Sequence, residues 1–172
     1  MHLGDRIMVM GSSGSGKSTM ARHLGETLGL PVTHLDRLSW LPDWVPIPKG
    51  ELEQAIRAAA DQPAWIIDGD FCACAFEYRL ERADAIIFLA FNRPACLCRA
   101  FKRRIMYHGK TRPDVAAGNK ESFNRALLRE IWTYPGRRKG VLRDLAELPP
   151  PKQVYHLKGN RVVKKFLQEV VQ

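Results

Sequence analysis

At 172 residues, 45% hydrophobic and 26% charged, the chain is long enough to bury one core and has the composition of a folded globular domain. No apolar run approaches the roughly 20 residues of a membrane-spanning helix, so no membrane partner is expected. The net charge of +9 is concentrated. Thirteen Lys and Arg stand against three acids between Arg99 and Arg143, so an anionic partner is expected at that segment.

The start of the chain, MHLGDRIMVMG, lacks the layout of a signal peptide, and a cytoplasmic protein is expected. Ile7 to Met10 reads as a short buried strand. It runs directly into Gly11-Ser12-Ser13-Gly14-Ser15-Gly16-Lys17-Ser18, followed by Thr19, which matches G-x-x-x-x-G-K-[ST] at every fixed position. Glycines let the backbone wrap a polyphosphate and point its N–H groups inward. Lys17 supplies a mobile charge for the β- and γ-phosphates, and the Ser18 hydroxyl can ligate Mg²⁺. A helix predicted over 17–28 adds its partial positive charge to the same spot. ATP with Mg²⁺ is therefore the expected ligand pair.

Gly29 and Pro31 close that helix, and residues 32–35 predict a second strand ending at Asp36. This acid falls where open α/β sheets bind ligands. It could serve as the base for an acceptor hydroxyl, orient Mg²⁺ through water, or cap a helix. Residues 39–48 are too proline-rich for a regular element; Trp40 and Trp44 there form either a wall for a flat acceptor or a satellite core. A helix over 51–60 leads to a third strand, Trp65 to Ile67, ending in Asp68-Gly69-Asp70. Asp68 is expected as the second magnesium determinant, and Asp70 could simply cap the next element.

A charged helical turn over 77–83 precedes a fourth strand, 84–91, apolar almost throughout, as a strand covered on both faces should be. On the helix predicted over 95–107, Arg99 and Arg103 are four residues apart and share one face, which suggests phosphate contact. Residues 108–120 have the composition of a mobile loop. A second basic helix, 121–134, is expected to break at Pro135-Gly136 and to resume through Arg137 and Arg138 to Leu148, the two helices and their loop forming a lid over roughly 99–143. After a stiff Pro149-Pro150-Pro151 connector come a fifth strand, 154–157, a turn (Lys158, Gly159, Asn160, Arg161) and a closing helix, 162–171. The four cysteines form two C-x-C pairs, Cys72/Cys74 and Cys96/Cys98. Buried reduced thiols fit them better than zinc ligation.

The segments GSSGSGKST, PVTHLDRLSW, WIIDGD, RLERADAIIFL, KRRIMYHGKTRPD and the tail from Val154 together resemble the nucleoside monophosphate kinase-like branch of P-loop proteins. The closest resemblance is to bacterial DNA topology modulation proteins, which look like adenylate kinases. The resemblance implies a single α/β domain over 1–172, a three-layer sandwich. Its five-stranded parallel sheet, of order 2-3-1-4-5, would carry helices on both faces and a short helical lid. It implies ATP and Mg²⁺ held by Lys17 and Ser18, and Asp68 as the acid of a D-G-F-P-R-like stretch in which Phe71-Cys72 replaces Phe-Pro-Arg. Arg99, Arg103, Arg137 and Arg138 would clamp phosphates, and the backbone of Lys158 to Arg161 would cradle adenine. The activity expected is transfer of the γ-phosphoryl group to a small acceptor such as a nucleotide, by Lys17, Asp36, Asp68, Arg103 and Arg138. The alternatives are a nucleic-acid-associated ATPase and a nucleotide-binding regulator, in either a monomer or a homodimer.

Overall fold

The computed structural model describes residues 1–70, 73–112, 114–120, 125–146 and 152–171; within these, the side chains at 125, 126, 137, 138, 142, 144, 146 and 171 lie outside the description. Expectations resting on Phe71, Cys72, the side chains of Arg137 and Arg138, and the 149–151 connector therefore fall outside the described residues.

The elements are β1 (Arg6–Gly11), α1 (Lys17–Leu28), β2 (Val32–His34), α2 (Leu35–Ser39), β3 (Trp40–Leu41), β4 (Val45–Pro46), α3 (Lys49–Ala60), β5 (Trp65–Asp68), α4 (Phe76–Arg82), β6 (Ala85–Leu89), α5 (Arg93–Met106), α6 (Arg125–Ala146), β7 (Gln153–Leu157) and α7 (Asn160–Val171). The main sheet is parallel throughout and runs β2-β5-β1-β6-β7. With the two short strands β3 and β4 set aside, its five strands follow the expected order 2-3-1-4-5. The phosphate-loop strand β1 is thus central.

Alternation along the strands divides the core into two layers. Met8, Met10, Ile67, Ile86 and Phe88 face Leu35, Leu52, Ile56, Leu80, Tyr134 and Leu145, contributed by α2, α3, α4 and α6. Ile7, Val9, Ile66, Ile87 and Leu89 face Met20 and Leu24 of α1 and Phe166 and Val170 of α7. Helices on both faces explain why β1, β5 and β6 are buried almost without interruption. A parallel sheet wound in this way brings the loops after the carboxyl ends of its strands to one edge.

Three local expectations are corrected. The predicted break at Pro135 does not occur: α6 runs through it. Proline removes one helix hydrogen bond and crowds the preceding turn. Here Ile131 and Tyr134 before it and Leu145 after it are all buried, so tertiary packing holds both halves in one line. Residues 39–48 are not irregular throughout, since β3 and β4 pair as an antiparallel hairpin around a 3₁₀ turn, Pro42–Trp44. Asp36 is neither strand end nor helix cap; it lies in the first turn of α2, which begins immediately after β2.

Candidate active site

β1 delivers the chain to the phosphate loop, and Gly11, Gly14 and Gly16 all take positive φ there. At Gly14 a side chain is excluded by space as well, because a Cβ would lie 2.3 Å from the Cys96 carbonyl oxygen of α5. Gly16, at φ +98°, faces open space and begins α1 without any side-chain cap, leaving the first-turn N–H groups of that helix turned to the loop. The Ser12 and Ser15 hydroxyls are buried with no partner. Lys17 Nζ donates to the Ser12 carbonyl at 3.1 Å, folded back over the loop. Unsatisfied donors around an open glycine concavity fit an anion.

A cavity of about 350 Å³ opens from this loop. Arg22 of α1 and Arg99, Lys102 and Arg103 of α5 line it. Lys17, Ser18, Asp36, Arg112 and Asp114 line it as well. Asp36 opens onto the cavity, so it carries exposed surface, yet the atoms packed around it strip away bulk water. This desolvation pushes its carboxyl above the ordinary range; Asp68 and Asp114 push the same way, and Lys17 and Arg112 oppose them.

Asp68 ends β5 opposite His34 at the end of β2, and the two are register partners in the sheet. His34 Nδ1 lies 2.7 Å from Asp68 Oδ2, while Oδ1 is buried with no partner. Asp70 is a brace rather than a cap. Its Oδ1 accepts from the Gly11 N–H at 2.8 Å and its Oδ2 from the Tyr134 hydroxyl at 2.5 Å, which ties β1 to α6. The fully buried Arg79 donates to the carbonyls of Gly69 at 3.0 Å and Asp70 at 2.7 Å, fixing the turn that carries both acids.

Arg99 joins three parts of the site. It donates to the Ser15 carbonyl at 3.0 Å and to Asn160 Oδ1 at 2.6 Å, and its guanidinium lies 4.0 Å from the centre of the Phe91 ring. Beside it a second cavity of about 370 Å³ is lined by Thr19, Met20, Phe91, Val163 and Leu167 together with Asn160. Of the turn 158–161, Asn160 reaches this cavity, and Gly159 supplies the positive φ (+86°) that turns the chain. Lys158 and Arg161 are not among its lining residues.

The sequence reading missed His34, Arg112, Asp114 and Tyr134. The 108–120 segment reads as a loop because of its glycines and proline, yet Arg112, Asp114, Val115 and Asn119 are all buried, and Thr111 bridges Lys120. The one available signal was the acid two residues after Arg112, now seen as an ion pair with Arg112 Nη1 3.0 Å from Asp114 Oδ2. The tryptophans serve the satellite role. Trp40 and Trp44 meet edge to face at 5.6 Å; the Trp44 N–H donates to Asn119 Oδ1 and its indole to the Lys120 carbonyl. Neither lines the two cavities.

Among the described residues no trio of His, Cys, Asp or Glu is gathered as a self-sufficient metal cage. Magnesium does not require one, because it keeps several waters and takes one or two protein ligands plus phosphates. The orphan Asp68 Oδ1 and the Ser18 hydroxyl suit that pattern. Cys74 and Cys96 are buried free thiols and Cys98 is an exposed one. No described helix is long and apolar enough to cross a membrane.

The five-stranded parallel α/β fold is similar to that of solved kinases. Shikimate kinase from Acinetobacter baumannii, solved with shikimate, superposes with a TM-score of 0.62 at 16% identity, over 98% of this chain and 92% of that one. A gluconokinase from Sinorhizobium meliloti 1021 gives 0.55 at 18% identity, over 99% and 91%. Shikimate kinase from Bacteroides thetaiotaomicron gives 0.55 at 14%, over 96% and 95%. No protein-family model matches the chain, and no curated protein matches it.

Proposed function

We propose that the protein transfers the γ-phosphoryl group of ATP to a hydroxyl or phosphate of a small acceptor. The observation that carries this reading is one cavity lined by both the phosphate loop and Asp36. Phosphoryl transfer is chiefly positioning and charge neutralisation, and the parts for both face each other here. Lys17 and the α1 N-terminus hold the terminal phosphates, and Arg99 and Arg103 line the same cavity from α5. Bound magnesium, held by Ser18 and Asp68, would neutralise charge between the terminal phosphates. Asp36, with its raised pKa, orients an acceptor hydroxyl and takes up its proton. The apolar cavity beside Arg99 and Asn160 takes the base of the nucleotide.

Arg137 and Arg138 are assigned to the phosphates on the family resemblance alone, as is the kinship with DNA topology modulation proteins. The acceptor is tested directly by following ADP and free phosphate separately in the presence of Mg²⁺. The panel holds nucleoside monophosphates, shikimate, gluconate, other sugars and DNA. ADP without free phosphate, dependent on one acceptor, is the expected result. ADP matched by free phosphate and stimulated by DNA would replace the kinase reading with that of an ATPase.

A further inference from the structure

Two cations beside the phosphate loop have no task in the reading above. Arg22 stands one turn along α1 from Ser18, and its Nε donates to the Ser18 carbonyl at 3.3 Å. Lys102 stands on α5 between Arg99 and Arg103. Both side chains line the cavity that Lys17 and Asp36 line, and neither is in an ion pair among the described residues. Arg99 is committed to the nucleotide end, since it bonds the Ser15 carbonyl and Asn160 and lines the apolar cavity as well. From Arg99 the cavity-lining face of α5 continues through Lys102 and Arg103 to Met106, about 10 Å along the axis at 1.5 Å per residue. No acidic residue occurs in that helix. Around the cavity six cationic side chains stand against two carboxylates, a surplus of four positive charges. The phosphates of a magnesium-loaded triphosphate bring only about two negative charges to it.

We propose that the acceptor is a small anion, a hydroxylated carboxylate or phosphate monoester, whose charged group is held by Arg22 and Lys102 while its hydroxyl meets Asp36. The inference deepens the kinase reading above and rests on it. A guanidinium and an ammonium suit either anion, because carboxylate and phosphate oxygens both accept charge-assisted hydrogen bonds. Size narrows the class further. A volume of about 350 Å³ is near the lower end for a small-molecule site, and this one must also take the terminal phosphates. Trp40 and Trp44 lie outside it, so the hairpin supplies no aromatic wall on which an acceptor's nucleobase could stack. A neutral sugar would fill the space but leave the surplus cations without a counterion. An anionic group also gives the acceptor a tether: with one end of the molecule fixed, a single hydroxyl is presented for transfer.

The test is calorimetry on the full chain, first with a non-hydrolysable ATP analogue and Mg²⁺, then on the saturated complex with three probes. These are inorganic phosphate, gluconate and glucitol, the last a neutral polyol of the same carbon count as gluconate. At least one anion is expected to bind the saturated complex about tenfold or more tightly than glucitol. Phosphate alone identifies a phosphate monoester as the acceptor class, and gluconate alone a carboxylate. Arg22→Gln and Lys102→Gln, both at exposed positions, are each expected to weaken the anion about tenfold and to leave analogue affinity within about twofold. Thermal unfolding checks that each is folded, and either variant suffices if the other fails. Lys164→Gln, the same charge change on α7 outside the cavity, is expected to change neither affinity. Anions that bind no better than glucitol overturn the proposal, as do variants that lose analogue and anion affinity in equal proportion. Absence of analogue binding to the wild type overturns the nucleotide-binding reading itself, a result distinct from the other two.

Discussion

Lys17 illustrates how a single side chain is prepared by its backbone. Its amine now rests on the Ser12 carbonyl at 3.1 Å, a contact that an arriving phosphate replaces at little cost. Lys17→Ala is expected to lower phosphoryl transfer by at least about 10³-fold, the scale of a lost transition-state cation. Its unfolding midpoint should stay near wild type, and steady-state turnover alongside a denaturant titration checks both halves. Far from the site, Asp84 shows a different residue-scale effect. Burial opposes its ionisation, but hydrogen bonds from the Arg6 side chain and from the backbone N–H groups of Arg6 and Asp5 outweigh that and hold its carboxyl below the ordinary range. A depressed folded-state pKa contributes stability that is present above the unfolded value, about 3.9, and is lost as pH falls through the folded value. Asp84→Asn should therefore flatten the acid limb of a stability–pH curve while altering the neutral region by only about 1–2 kcal/mol, given the partial exposure of the pair.

At the scale of elements, the site depends on turns braced from behind. Arg79 sits in α4 yet serves the Gly69–Asp70 turn, since its guanidinium donates to the carbonyls of both residues from inside the core. Arg79→Leu takes those donors away from the buried turn and should destabilise the chain by about 2–4 kcal/mol. Urea denaturation measures the loss, and the slope should stay unchanged if the fold is otherwise kept. The carboxyl end of α4 is closed from another element: Lys152 at the entry to β7 donates to the carbonyls of Leu80, Glu81 and Ala83. A cation there opposes the negative end of the helix, and Lys152→Met is expected to cost about 1–2 kcal/mol in the same titration.

Across the whole molecule, the central position of β1 sets what ligand binding can do. The phosphate loop is contacted from α5 through Arg99 and from the β5 turn through Asp70, and Asp114 lines the cavity that opens from it. A ligand held by this loop thus meets parts of both core layers. At about 100 times its dissociation constant, Mg²⁺ with an ATP analogue should stabilise the fold by about 2.7 kcal/mol, read as a rise in thermal midpoint. Arg99→Ala should reduce that rise, because it removes a side chain that spans the loop and Asn160.

The sequence by itself determined the phosphate loop, the five parallel strands and the places of Lys17, Ser18 and Asp68, because each is written in local spacing. A glycine pattern, an apolar run and an acid at a strand end need no distant partner to be read. The strand order came from the succession of those motifs along the chain, through the family it resembles. The structure alone decided that α6 passes unbroken through Pro135, that the tryptophan hairpin is fastened to Asn119 and Lys120, and that Asp70 is a brace. It also decided that Asp114 lines the same cavity as Ser18, 96 positions away in the chain. These outcomes depend on which side chains are buried against one another across the fold. Burial can hold a proline inside a helix or order a glycine-rich loop, and no local pattern carries that information.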